Sequence, residues 1–241
     1  MSGGLKLTVY ERLAACRSDE YRERIEMRVI EYGNPDASLV LIQPVDEQDL
    51  SVIENEVKEI ERLSEKDFHL LAVRINNWNH DLSPWNASAV FGKDGFGDGA
   101  NATLEEIQKF CADKSKTYII GGYSLAALFS VWAAYQTDLF AGVAAASPSV
   151  WFPGFIDYMK DHEIMSGKVY LSLGDKEEKS RNLVMATVGK HIREAHEILN
   201  RKGIDTILEW NEGNHFKDSD LRTARAFAWV MRRSIGILPS N

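Results

Sequence analysis

Cysteine is nearly missing from this chain: two in 241 residues, Cys16 and Cys111, with no metal-ligand or redox spacing between them. That excludes a disulfide framework and suits a reducing compartment. Long apolar runs are missing as well. The richest, residues 139–146, is far shorter than the ~20 residues a membrane-spanning helix needs. Residues 1–7 lack the basic start and apolar stretch of a secretory signal. Positive charge is in deficit, 28 Lys and Arg against 36 Asp and Glu for a net charge of -8. Such a balance argues against nucleic acid or an anionic membrane as partner. No internal repeat, low-complexity tract or linker interrupts the chain. A cytoplasmic soluble protein folded as one domain over residues 1–241 is expected, long enough to bury a large core.

What the chain does have is concentrated in residues 118–135. A β-branched and aromatic run, Tyr118-Ile119-Ile120, leads into Gly121-Gly122-Tyr123-Ser124-Leu125-Ala126. An apolar helical pattern follows through Leu128, Val131, Trp132 and Tyr135. This reads as strand, sharp turn and helix, with Ser124 at the apex, the geometry of a nucleophile elbow. Gly122 and Ala126 stand two before and two after the serine, where larger side chains would collide. Alanine occupies the place of the usual second glycine. Taken alone, the motif also fits a serine that merely caps a buried helix.

The rest of the chain supplies a frame. Strands are expected at Leu5, Leu7 and Val9, at Ile25, Met27 and Val29, and in the runs 38–42, 68–75, 139–146, 169–173 and 206–210. Helical periods occupy 50–63, 103–111, 182–199 and 218–231, with Thr103 and Glu106 spaced for a capping box. Alternation of this kind implies a mostly parallel sheet of about eight strands with helices on both faces and no separate cap domain. Between residues 76 and 100 lies a long loop carrying Trp78, His80, Trp85 and Phe91, and a second aromatic loop holds Trp151, Phe152 and Phe155. Loops of that length in compact domains are commonly functional.

In a parallel sheet, functional groups gather at the carboxyl ends of strands. Three polar loops fall there: Ser124, then residues 174–178, then Gly213-Asn214-His215-Phe216. They deliver serine, acid and histidine in the chain order of an α/β-hydrolase. His215 is the best base of the six histidines, because it follows the last strand between small and polar neighbours. The acid is one of Asp175, Glu177 and Glu178, and glycine-x-x-acid spacing favours Glu177. An oxyanion needs two backbone donors. The amide of Leu125 is one; the loop after 38–42 offers Val45, since Pro44 has no N–H, with Asp46 second. Trp78, Trp85, Phe91 and Trp151 are candidate walls for a substrate pocket.

With those pieces in place, the chain resembles the α/β-hydrolase family of esterase D-like and enterochelin (enterobactin) esterase-like enzymes. The resemblance spans about residues 39–231 and rests on residues 78–85 (Trp-Asn-His-Asp-Leu-Ser-Pro-Trp), 121–126 and Ala146-Ser147-Pro148-Ser149. It implies Ser124 as nucleophile, His215 as base and hydrolysis of a small-molecule carboxylic ester with no metal and no cofactor. The same machinery serves thioesters, amides and carbohydrate acetyl esters, and a hydrolase scaffold can also serve as a non-catalytic binding protein.

Overall fold

A computed structural model describes residues 27–90 and 92–234. The expected strand at Leu5–Val9, Cys16 and Phe91 lie outside the described residues. Among the described residues, seven strands form one sheet in the order β1-β3-β2-β4-β5-β6-β7. They are β1 (Arg28–Gly33), β2 (Leu39–Val45), β3 (His69–Arg74), β4 (Thr117–Tyr123), β5 (Phe140–Ala146), β6 (Lys168–Gly174) and β7 (Asp205–Asn211). Only β1 runs antiparallel, against β3; every other pairing is parallel. This is an α/β-hydrolase fold.

Both faces are covered, which is why the strands read as continuous apolar runs. Along β2, Val40 and Ile42 pack into one core cluster and Leu39 and Leu41 into the other. The first cluster takes in helices α3 (Ala100–Gln108), α4 (Ser124–Ala133), α5 (Phe155–Asp161) and α6 (Val188–Arg201). The second takes in α1 (Glu47–Ser64) and α7 (Ser219–Arg233), which also pack on each other. Each fully buried leucine, isoleucine or phenylalanine contributes about 1.5–3 kcal/mol, so the two layers hold the central strands firmly. Helix α4 is buried along Leu125–Ala133, which fixes the direction in which Ser124 leaves β4.

Some local expectations change. Residues 43–45, expected as loop, complete β2. Pro44 is tolerated because β2 pairs with β4 only over Leu39–Ile42, so its missing N–H faces a side with no ladder left to make. Asp46 then caps α1, exchanging bonds with Asp49 in a capping box. The capping box expected at Thr103 is absent: α3 starts at Ala100, and Thr103 Oγ1 donates instead to the Asp81 carbonyl at 2.7 Å. The long loop contains a short helix, α2 (Trp78–Asp81), and the second aromatic loop runs into α5. The helix expected from residue 182 begins at Val188, after two 3-10 turns at Glu177–Lys179 and Met185–Thr187.

Candidate active site

Four strand ends, β4 to β7, bring the chemistry to one edge of the sheet. Ser124 opens α4 with φ at 55°, a left-handed conformation that a serine adopts only where the surroundings enforce it. The enforcement is steric. A Cβ on Gly122, whose φ is 156°, would meet the Ala126 Cβ at 2.9 Å, so a side chain at 122 is excluded even with the small alanine opposite. The turn therefore lifts the Ser124 hydroxyl out of the sheet and leaves the Leu125 amide at the free N-terminus of the helix.

His215 reaches that hydroxyl from the loop after β7, its Nε2 lying 3.0 Å from Ser124 Oγ. On the other side of the ring, Nδ1 lies 2.7 Å from Glu177 Oε2. Glu177 enters from the 3-10 turn after β6, and its side chain is only 1% exposed. Its second oxygen, Oε1, accepts from Gly174 N at 2.8 Å, Ser147 Oγ at 2.9 Å and Arg222 Nη1 at 3.1 Å. Gly174 has no room for a side chain, because a Cβ there would run into the Gly213 carbonyl and the Glu177 carboxylate. Burial pulls the Glu177 carboxyl upward, but the bond and charge of His215, with the Gly174 and Ser147 donors, outweigh it and hold the group below its ordinary value. An ionised carboxylate thus faces Nδ1 and leaves Nε2 toward the serine.

The neighbouring acids do other work. Asp175 accepts from Gly213 N at 2.7 Å, which ties the histidine loop to the end of β6 and lowers the Asp175 carboxyl. Glu178 turns outward to a two-pronged pair with Arg193, at 3.0 and 3.1 Å. Of the three acidic candidates, only Glu177 meets the imidazole among the described residues.

The remaining candidates are placed as follows. Leu125 immediately follows Ser124 in the first turn of α4. Val45 ends β2, and its carbonyl accepts from Ile75 N at 3.0 Å. Asp46 N is engaged by Asp49 Oδ2 at 3.2 Å. Trp78 packs on the core. Trp85 donates from Nε1 to the Pro153 carbonyl at 2.8 Å and packs edge-on or tilted against Phe152, Phe155 and Tyr158, bracing the long loop against α5. Trp151 is buried and meets Phe96 edge to face. His80 sits between Gly97 and Gly99 with Nδ1 at 3.0 Å from Asp81 Oδ1, a brace within the same loop.

Several site residues were not singled out from the sequence. Tyr123 donates to the His215 carbonyl at 2.8 Å. Burial and the charge of Glu177 push its phenol up to about 12, so it stays a donor. Ser149 Oγ lies 3.4 Å from Ser124 Oγ. Phe216, 80% exposed, meets the His215 ring edge to face. Tyr123, Ser147 and Ser149 belong to motifs already noted. The signal for Arg222 is its place four before Ala226 and eight before Val230, on the apolar stripe of α7.

No protein-family model and no curated protein matches the chain. Solved structures do match. The siderophore hydrolase EstA from Aspergillus nidulans is 17% identical, with a TM-score of 0.64 over 86% of this chain and 90% of that one. An IroE-like serine hydrolase from Shewanella oneidensis is 12% identical, with a TM-score of 0.69 over 94% and 79% of the two chains. The Bacillus cereus carboxylesterase is 13% identical, with a TM-score of 0.57 over 86% and 95%. Identities this low carry the fold alone, the α/β-hydrolase fold that those structures share with this chain. Among the described residues, no helix is long and apolar enough to cross a membrane.

Proposed function

We propose that the protein is a serine hydrolase of carboxylic esters that works through an acyl-enzyme. The observation that carries this reading is the 3.0 Å approach of Ser124 Oγ to His215 Nε2, backed at 2.7 Å by a buried, ionised Glu177. His215 takes the proton of Ser124 as its oxygen attacks the ester carbonyl, and Glu177 stabilises the imidazolium that forms. The Leu125 amide donates to the developing oxyanion. His215 then protonates the departing alcohol, and a water molecule repeats the sequence on the acyl-serine, releasing the acid and free Ser124.

The ester itself is a small molecule. A siderophore ester is a second, narrower reading, favoured by the likeness to the siderophore hydrolase EstA. A fluorophosphonate probe tests the chemistry. Wild-type protein should be labelled and the Ser124→Ala variant should not, with ester turnover in that variant reduced by ~10³-fold or more. Labelling that persists in the variant, or fails in both proteins, overturns the reading. A panel of aryl and alkyl esters beside an iron-loaded and an iron-free siderophore separates the two substrate classes.

A further inference from the structure

Helix α7 carries a guanidinium where its apolar stripe would otherwise place a hydrocarbon. The Arg222 side chain is 1% exposed, as is that of Glu177, to which it is paired. Nη1 donates to Glu177 Oε1 at 3.1 Å, to Tyr123 Oη at 3.0 Å and to Ser147 Oγ at 3.4 Å. Nη2 donates to the carbonyls of Glu212 at 3.2 Å and Asn214 at 3.1 Å. Those two carbonyls flank Gly213 in the loop that bears His215, and Tyr123, held by Arg222, donates in turn to the His215 carbonyl. One side chain therefore touches the acid and grips the base's own loop.

Stability does not account for this placement. Removing two charges from water costs about as much as their attraction returns, so a buried ion pair adds little to the folded state. Electrostatics at the imidazole does account for it. Arg222 and ionised Glu177 together form a neutral buried unit beside His215. Without the guanidinium, a lone buried carboxylate would draw a proton onto the imidazole of the resting enzyme, and a protonated imidazole cannot accept the Ser124 proton.

We propose that Arg222 is a positioning residue of the Ser124–His215–Glu177 site, aligning Glu177 with the His215 loop and balancing the Glu177 charge beside the imidazole. This rests on the esterase reading above. The test is the pH profile of kcat/KM for a soluble aryl ester in wild type, Arg222→Lys, Arg222→Met and Arg222→Gln, with folding checked by circular dichroism. The acidic limb should move up by about one pH unit in the Met and Gln variants, so that their deficit is greatest at low pH. In Arg222→Lys the charge remains but the fork is lost; the limb should stay at the wild-type position while the rate falls about tenfold at every pH.

Coincidence of the neutral variants' limb with wild type overturns the proposal, since a purely structural role would lower the rate without moving the limb. If neither neutral variant folds, the lysine variant decides: a roughly tenfold fall in kcat per fluorophosphonate-reactive site, with the limb unmoved, supports the proposal, and a wild-type kcat per reactive site or a shifted limb overturns it. Wild-type enzyme that turns over the ester, with labelling that depends on Ser124, shows that the esterase reading stands whichever way the limb falls. Absence of that turnover removes both.

Discussion

Three carboxylates within four positions, Asp175, Glu177 and Glu178, meet three different fates, and the difference lies in what each carboxylate faces. Glu177 is buried against His215, Asp175 holds a backbone N–H of the histidine loop, and Glu178 pairs with Arg193 at the surface. Glu177→Gln keeps the shape but removes the charge opposite the imidazole, and should lower kcat by ~10²–10⁴-fold. Asp175→Asn should cost no more than a few-fold, through a looser loop, and Glu178→Gln should leave the rate unchanged. Steady-state kinetics on the three variants checks the order; a Glu177→Gln enzyme within a few-fold of wild type would remove the acid from the site. The sign of the pH dependence follows from the lowered Glu177 carboxyl. Its contribution to stability is present above its ordinary value and is lost as pH falls through the folded-state value, so the site fails on the acid side. Ser124 and His215 were legible in the sequence because each stands in a loop whose glycines give it away. Arg222 was not, since a charge on a helix ordinarily marks the solvated face, and only the packing of α7 on the sheet puts that position inside.

At the scale of elements, the β4-to-α4 turn is the piece that the sequence described best, because close approach leaves a residue-level signature. A Cβ at Gly121 would lie 2.5 Å from the Ala144 carbonyl and 2.8 Å from Phe227, backbone on one side and a buried ring on the other. Gly121→Ala should therefore destabilise the fold by about 2–4 kcal/mol, since neither neighbour can withdraw. Ala126→Gly, which restores the usual second glycine, should cost only ~1 kcal/mol, the helix penalty of glycine, and should preserve Ser124 reactivity. Urea midpoints with an unchanged m-value measure both, and a Gly121→Ala protein as stable as wild type would contradict the close packing of β4 on β5 and α7. The elements that the sequence missed share a cause. α5 and α2 are short and rich in aromatic and polar residues, so their periodicity is too brief to read. The strand expected over residues 38–42 stops short of Pro44, since a proline argues against a central strand, and only the pairing limits of β2 and β4 show why it is allowed there.

For the whole molecule, the parallel sheet with helices on both faces was legible, because strands buried on two sides and helices between them leave few arrangements. How α1 lies on the sheet was not, and it buries another acid. Glu56 on α1 and Gln43 on β2 are both buried, and Gln43 Nε2 donates to Glu56 Oε2 at 3.3 Å. The Oε1 atom of each is left with no partner among the described residues. Two acceptors and one donor amide are poorly matched if Glu56 is ionised, and a proton on its carboxyl supplies the missing donor. Burial drives the Glu56 carboxyl well above its ordinary value; the Gln43 bond opposes this weakly, while Asp49 and Asp220 add to it. Asp49, at the start of the same helix, is itself raised to about 7 by burial and by Asp46. A carboxyl raised in the folded state stabilises fully below its unfolded value, and that contribution is lost as pH rises toward the folded one, by up to ~1.4 kcal/mol per pH unit. Glu56→Gln replaces the proton with a permanent amide donor and should be the more stable protein at pH 7–8. Its advantage should shrink as the pH falls through about 4, below which wild-type Glu56 is protonated in both states. Thermal melts across that range read the difference at ~2–4 °C for each kcal/mol. A variant that melts below wild type at neutral pH, or by the same margin at every pH, would mean that Glu56 is held as a carboxylate.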